Sequence, residues 1–376
     1  MDKPSVPSVP PFVIDGHVTA LRLFDLAFSI DLVRAETLWA SRAGQGARSR
    51  LSSTPLKAVA FGEAPLGLLL PPVTLLLGEQ PVEATVSARL YAFGVVTLAI
   101  RVTTKDLAWD AYTARVNAIA AALGVRAHSP LWSDILARLR DTVDGALTRP
   151  NRSELVEDYL VATVHTFDAP IQAAELGRSI DLVPLLSGET RPLADGARSD
   201  LLNRRYSYYE DDLVVLTWDR AFIYEPRRET DVADVIEVAN AQFLEMRYYD
   251  ELLDAELPRM YDLVEEATRR RTLGPRRFAE LARRLYTLVA EVTELTEKVD
   301  NALQVTGDVY LARVYAAALE QFRVKSVQAA VDRKLSIIRD TYSALYDEAA
   351  GSRAGLMEAA VILLITFEVI LAVLRH

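Results

Sequence analysis

Four histidines, His17, His128, His165 and His376, are the chain's only imidazoles, and none stands at metal-ligand spacing from another. With no cysteine, a thiolate zinc site, a disulfide framework and a cysteine nucleophile are excluded. The phosphate-cradling Gly-x-x-x-x-Gly-Lys loop, the Gly-x-Ser-x-Gly elbow and the His-Glu-x-x-His pair do not occur, so no catalytic residue, metal or cofactor is expected. An enzyme of unfamiliar type is a remaining alternative, and its mark would be a deep pocket with convergent polar side chains.

Other clusters pair charge with aromatic rings. Arg204-Arg205-Tyr206-Ser207-Tyr208-Tyr209-Glu210-Asp211-Asp212, followed by Trp218-Asp219-Arg220, offers the stacking and charge that hold single-stranded bases. The same residues read more simply as a hairpin with Glu210-Asp211-Asp212 in its turn. Arg269, Arg270, Arg271, Arg276 and Arg277, with Arg283 and Arg284 nearby, concentrate positive charge on a chain whose net charge is −10. This patch is expected to meet anionic lipid headgroups, at about 1 kcal/mol per arginine, or ribosomal RNA. No DNA partner is expected from so acidic a chain.

A third group is terminal. Leu356–Leu374 is apolar apart from Glu358 and Glu368, and its helix would extend about 28 Å at about 1.5 Å per residue, close to a bilayer core of about 30 Å. Leu356, Glu358, Ile362, Ile365, Glu368 and Leu374 are expected to lie in the membrane span, with Glu368 facing a bundle of several copies. The start, residues 1–11, has neither an apolar run nor a basic flank, so it reads as a disordered tail and not as an export signal. The expected outcome is a single-pass C-terminal anchor, with the bulk of the chain on the cytoplasmic or matrix side.

These groups need elements to hold them. At 376 residues, 51% hydrophobic and 25% charged, the chain has enough material for a sizeable core. From Phe12 to Pro226, alternating and β-branched runs mix with helix-period segments, which predicts an α+β domain over 12–226. Strands are expected at Val13–Ala20, Leu21–Ile30, Ala84–Tyr91, Val95–Val102, Tyr159–Phe167, Tyr206–Thr217 and Arg220–Tyr224. Helices are expected at Asp106–Leu123, Leu131–Leu147 and Ile171–Leu186, with loops at Ser41–Thr54, Thr148–Ser153 and Ser187–Asp200.

Beyond Pro226 strand signals vanish, and an all-α antiparallel stalk of three long helices is expected over 227–350, ahead of the anchor at 351–376. The first runs from Thr230 to about Arg271 with a kink at Pro258, and Gly274-Pro275 separates it from the second. In the second, Leu281, Leu285, Leu288, Val292, Leu295, Val299 and Ala302 step by four and three, a heptad seam that calls for a facing helix and favours a coiled-coil homo-oligomer. The third is expected from Tyr310 to about Ala350.

In its C-terminal third the chain resembles the "required for meiotic nuclear division" family. The residues are Met357-Glu358-Ala359, where that family has Leu-Glu-Trp, a second glutamate ten positions on at Glu368, and the preceding Val331–Asp340. Met357 and Ala359 depart from the pattern and leave the interfacial tryptophan missing. The resemblance implies a membrane-anchored oligomer that in eukaryotes supports mitochondrial translation. The reading is therefore a self-associating, membrane-anchored scaffold that displays an α+β domain, with a ribosome or another protein as partner. An oligomeric ion-transport protein of CorA-like layout is the alternative from a different class.

Overall fold

The computed structural model describes residues 11–42, 47–48, 59–124, 129–151, 153–269, 275–301, 303–305, 310–341 and 343–344. Its strands are β1 (Phe12–Asp25), β2 (Ala27–Ile30), β3 (Ala47–Arg48), β4 (Val59–Phe61), β5 (Leu66–Leu77), β6 (Gln80–Leu90), β7 (Val95–Ala108), β8 (Leu147–Pro150), β9 (Val156–Phe167), β10 (Arg205–Tyr206), β11 (Leu213–Leu216), β12 (Arg220–Tyr224) and β13 (Leu303–Val305). Its helices are α1 (Leu32–Arg42), α2 (Trp109–Ala122), α3 (Pro130–Val143), α4 (Ala173–Ser179), α5 (Val183–Ser187), α6 (Asp195–Leu202), α7 (Asp231–Arg269), α8 (Pro275–Asp300) and α9 (Tyr310–Gln321). Helical backbone resumes over 324–341.

Nine strands form one sheet in the order β10-β11-β12-β9-β1-β7-β6-β5-β3. All neighbours are antiparallel except β12 and β9, which run parallel. The central trio β9-β1-β7 is long because its β-branched and apolar residues alternate without a proline. Between β7 and the preceding strand the chain turns at Gly94, whose φ of 103° and contact with Ala27 O, only 1.8 Å from a would-be Cβ, admit no side chain.

Alternation gives the sheet two unlike faces. On one, Val18, Ala20, Val86, Leu98 and Ile100 join Trp109, Tyr112 and Val116 of α2 and Trp132 of α3 in a single buried core. The other carries His17, Thr19, Arg89 and Arg101, and the first turns of α7 dock there through Asp234 and Glu237. That half of α7 also buries Val235, Ile236, Val238 and Ala239 completely.

The chain divides into two compact units, Met1–Tyr248 with Lys298–Lys325, and Tyr249–Glu297 with Ser326–His376. The first is the α+β unit, and it takes in the start of α7 and all of α9. Within the second, Lys334 pairs with Asp250 at 2.7 Å and Asp254 at 2.6 Å, and Arg284 approaches Glu256 at 3.8 Å, so α7 is braced by both of its helical neighbours. Leu285 and Val292 of the heptad seam are buried and Leu288 is half-buried within this single chain; Val299, also buried, belongs to the first unit.

Several elements differ from expectation for identifiable reasons. β5 was hidden by Pro71-Pro72, which a register shift between Leu70 and Val73 accommodates. The helix α1 lies where no element was expected. Asp31 Oδ1 caps it by accepting from the amides of Val33 and Arg34, and Leu32, Ala35 and Trp39 bury one face. The single helix expected over Ile171–Leu186 is two, since Ile180 is extended and Asp181 Oδ1, ahead of the second, accepts from the amide of Val183. The third long helix breaks at Phe322-Arg323, where Arg323 takes a φ of 58°. The second ends before Leu303, which enters a strand paired with β4.

The expected membrane architecture is corrected as well. Among the described residues no helix is long and apolar enough to cross a membrane. The longest, α7 and α8, are interrupted repeatedly by carboxylates and arginines. The terminal membrane helix as part of the fold class, the single-pass C-terminal anchor, the membrane protein class and the membrane-associated localisation are therefore withdrawn. Leu356, Glu358, Ile362, Ile365, Glu368 and Leu374, on which they were placed, lie outside the described residues.

Candidate functional site

The polar face of the sheet and the start of α7 enclose a cavity of about 380 Å³. Its floor is built by strand alternation: His17 and Thr19 from β1, Ser87 and Arg89 from β6, and Thr97 and Arg101 from β7 all point the same way. Its wall is Thr230, Ala233, Asp234 and Glu237 at successive turns of α7 and its approach.

One cation in this cavity is neutralised. Arg89 donates to Asp234 Oδ1 at 2.8 Å and to Glu237 Oε2 at 2.9 Å, and Tyr91 Oη donates to Glu237 Oε1 at 2.9 Å. Burial, the largest influence, raises Glu237 above the usual carboxylate range, while Arg89 opposes it. This network fastens α7 to the sheet; removing one member leaves a buried charge without its partner.

Arg101 is placed differently. Its Nε donates to Thr19 Oγ1 at 3.2 Å, and among the described residues no carboxylate lies within ion-pair distance of it. Desolvation, the largest influence, lowers its pKa and Asp234 pulls it back up; a guanidinium stays charged throughout.

Beside it His17 and His165 meet, with Nδ1 of the former 3.2 Å from Nε2 of the latter and their ring centroids 5.1 Å apart. A β-bulge brings this about: Asp15 pairs with Thr166 and Gly16 with Val164, so His165 is the extra residue on β9. Gly16 permits the close pairing, because a Cβ there would stand 2.4 Å from Thr163 O. Burial first, then Arg101, pushes His17 down to about 3, so its ring is neutral at pH 7.

The two histidines are 148 positions apart, and reading each alone missed the pair. The available signal was the run of polar residues at alternate positions, His17 and Thr19 in one strand and Arg101 and Thr103 in another, which marks a second face that is not plain core. The cavity also has the convergent polar side chains that an unfamiliar enzyme was expected to show. Among the described residues no hydroxyl is hydrogen-bonded to either imidazole.

The residues singled out from sequence fall elsewhere. Tyr206 and Arg205 do form a hairpin with β11, and the Asp212 carboxylate accepts from the amides of Tyr208 and Tyr209. Arg227 crosses the Tyr209 ring at 4.0 Å and pairs with Asp211, Asp212 and Glu225, so these aromatic and charged groups are engaged with one another. In the arginine cluster, Arg270 and Arg271 lie outside the described residues, and Arg269, Arg276 and Arg277 sit on helical backbone. The side chains of Leu281 and Leu295 are likewise not among those described. A second, wider groove of about 790 Å³ contains Arg22, already held by both oxygens of Asp158 and stacked over Trp132.

Fold and site define an α+β domain in which a mixed sheet and a long helix wall a polar pocket. Residues 15–231 match the family described as "Uncharacterized protein MJ0711, N-terminal domain", and the chain belongs to that family. The protein described as "Uncharacterized protein MJ0711" from Methanocaldococcus jannaschii is 24% identical over 243 residues, 64% of this chain and 74% of the relative. His17, Thr19, Arg89, Arg101 and His165 fall within the matched residues, while Asp234 and Glu237 lie just beyond them.

Proposed function

We propose that the α+β unit is a binding module for a small anionic ligand, taken into the cavity between the sheet and α7. Arg101 carries this reading. Arg89 is balanced by two carboxylates, whereas Arg101 lines the same cavity with a threonine hydroxyl as its guanidinium's one described hydrogen-bond partner. An oxyanion entering there gains a charge-assisted hydrogen bond without displacing an ion pair. Thermal unfolding of the full chain with millimolar phosphates, sulfate and small carboxylates tests it. A ligand at 100 times its Kd stabilises by about 2.7 kcal/mol. The shift is expected to vanish in Arg101→Gln; an unchanged shift in that variant, or no shift with any anion, sinks the reading.

A second reading is a self-associating scaffold. It is favoured by Tyr261 on α7 and Tyr286 on α8, 54% and 62% exposed in a unit where Leu285 and Val292 are already buried within one chain. Self-association would then use the tyrosines and not the heptad seam. The resemblance of the C-terminal third supports linking such a scaffold to translation. Light scattering on Tyr261→Ser/Tyr286→Ser is the test: a mass above one chain that persists in the double variant removes this interface.

A further inference from the structure

The partners of the two paired imidazoles determine where their hydrogens lie. His165 Nδ1 is 2.8 Å from the carbonyl oxygen of Glu225, and a carbonyl only accepts, so this nitrogen carries the hydrogen. With that one hydrogen on the ring, Nε2 is then the acceptor. It faces His17 Nδ1 at 3.2 Å, which must donate. That leaves His17 Nε2 with a lone pair and, among the described residues, no hydrogen-bond partner, on a side chain that lines the cavity. Arg101 is held next to it by Thr19, two positions along the same strand face.

A cationic donor and a neutral acceptor therefore stand side by side. We propose, building on the anion-binding reading, that the cavity selects an oxyanion that still carries a hydrogen, phosphate in preference to sulfate. Arg101 meets an ionised oxygen and His17 Nε2 accepts from the hydroxyl. Because burial keeps the His17 ring neutral well below pH 7, that nitrogen remains an acceptor. Asp234 and Glu237, on the opposite wall, disfavour an oxyanion with no hydrogen to offer.

Phosphate and sulfate share size and shape, but near neutral pH only phosphate keeps a hydroxyl. A site built to accept from a hydroxyl rejects the analogue without it strongly, since its acceptor is then desolvated and unpaired. At about 380 Å³ the cavity also has room for an organic remainder, so free phosphate and, as the monoanion below about pH 6, a phosphomonoester are both admitted.

Calorimetric titration of the full chain is the test, with phosphate and sulfate at pH 7 and with both and glycerol 3-phosphate at pH 5.5, where the monoester keeps its hydroxyl. Phosphate is expected to bind at least about tenfold more tightly than sulfate. A monoester tighter than phosphate assigns the group to a larger ligand and a weaker one assigns free phosphate, provided sulfate trails both. Equal binding of phosphate and sulfate overturns the selectivity and leaves the anion-binding reading intact; no binding of any anion overturns both. His17→Phe is expected to bring the phosphate-to-sulfate ratio to about one while sulfate binding holds. Nitrogen-15 spectra of the unmodified chain at pH 8 give a readout free of folding effects: hydrogen on His17 Nδ1 supports the proposal, and hydrogen on Nε2 overturns it.

Discussion

The same central strands build both faces of the large sheet, yet the faces follow different rules. Val18, Ala20, Leu98 and Ile100 meet apolar helices and are fully buried. One residue along, His17, Thr19, Thr97 and Arg101 meet a cavity and a carboxylate-bearing helix. The apolar face gains stability roughly in proportion to the area it removes from water. The polar face gives up part of that gain for a hydrogen-bonded imidazole pair, an ion-pair clasp and one guanidinium without a carboxylate. A region that costs stability and still holds a defined geometry is where a ligand is expected to contribute.

The sharpest way to separate the faces is pH. Folding lowers His17 from its ordinary 6.5 to about 3, so its contribution is complete above pH 6.5 and is lost as pH falls toward 3. The whole shift corresponds to about 5 kcal/mol, and His17→Phe should flatten this limb of a denaturation series taken from pH 7 to 3. Asp25, at the far end of β1, runs in the opposite sense. Burial raises it from 3.8 to about 7, against the bond that Asn151 Nδ2 donates to its Oδ2 at 2.6 Å. Its contribution is complete below pH 3.8 and is lost as pH rises through 7, about 4 kcal/mol in all. Asp25→Asn is expected to stabilise the chain above pH 7 relative to the parent and to leave stability near pH 3.5 little changed.

Substitutions on the two faces sharpen the contrast at fixed pH. Leu98→Ala, in the apolar core, should cost about 3 kcal/mol in denaturant unfolding without changing anion affinity beyond experimental error. Glu237→Ala should cost a comparable 3 kcal/mol or so by leaving Arg89 with Asp234 alone and Tyr91 Oη without its acceptor, and should loosen the start of α7, seen as faster amide exchange over 231–240.

How much of this was legible in the sequence differs by face too. The strands of the central trio were visible as β-branched and apolar runs, although β1 reads as two strands parted after Ala20, and α7 because its apolar positions recur every three or four residues. β5 was masked by two prolines that only a register shift can absorb, and α9 ran on in the pattern because Phe322 and Val324 are buried on both sides of the break. The cavity could not be read at all from spacing. Its members come from β1, β6, β7, β9 and α7, and what joins them is strand order and one bulge. The heptad seam was legible as a pattern, but its spacing did not show that Leu285 and Val292 are buried within the one chain.

The smallest expected change in stability belongs to the residue with the largest expected change in binding. Arg101 is exposed and lacks a described ion pair, so Arg101→Gln should alter unfolding free energy by no more than about 0.5 kcal/mol. Side-by-side phosphate titration and denaturant unfolding of the full chain and this variant test the account most directly. Near-equal stability with phosphate binding lost is the predicted result. Binding that survives the substitution, or a variant that loses binding only because it has unfolded, would contradict the assignment of this face to a ligand.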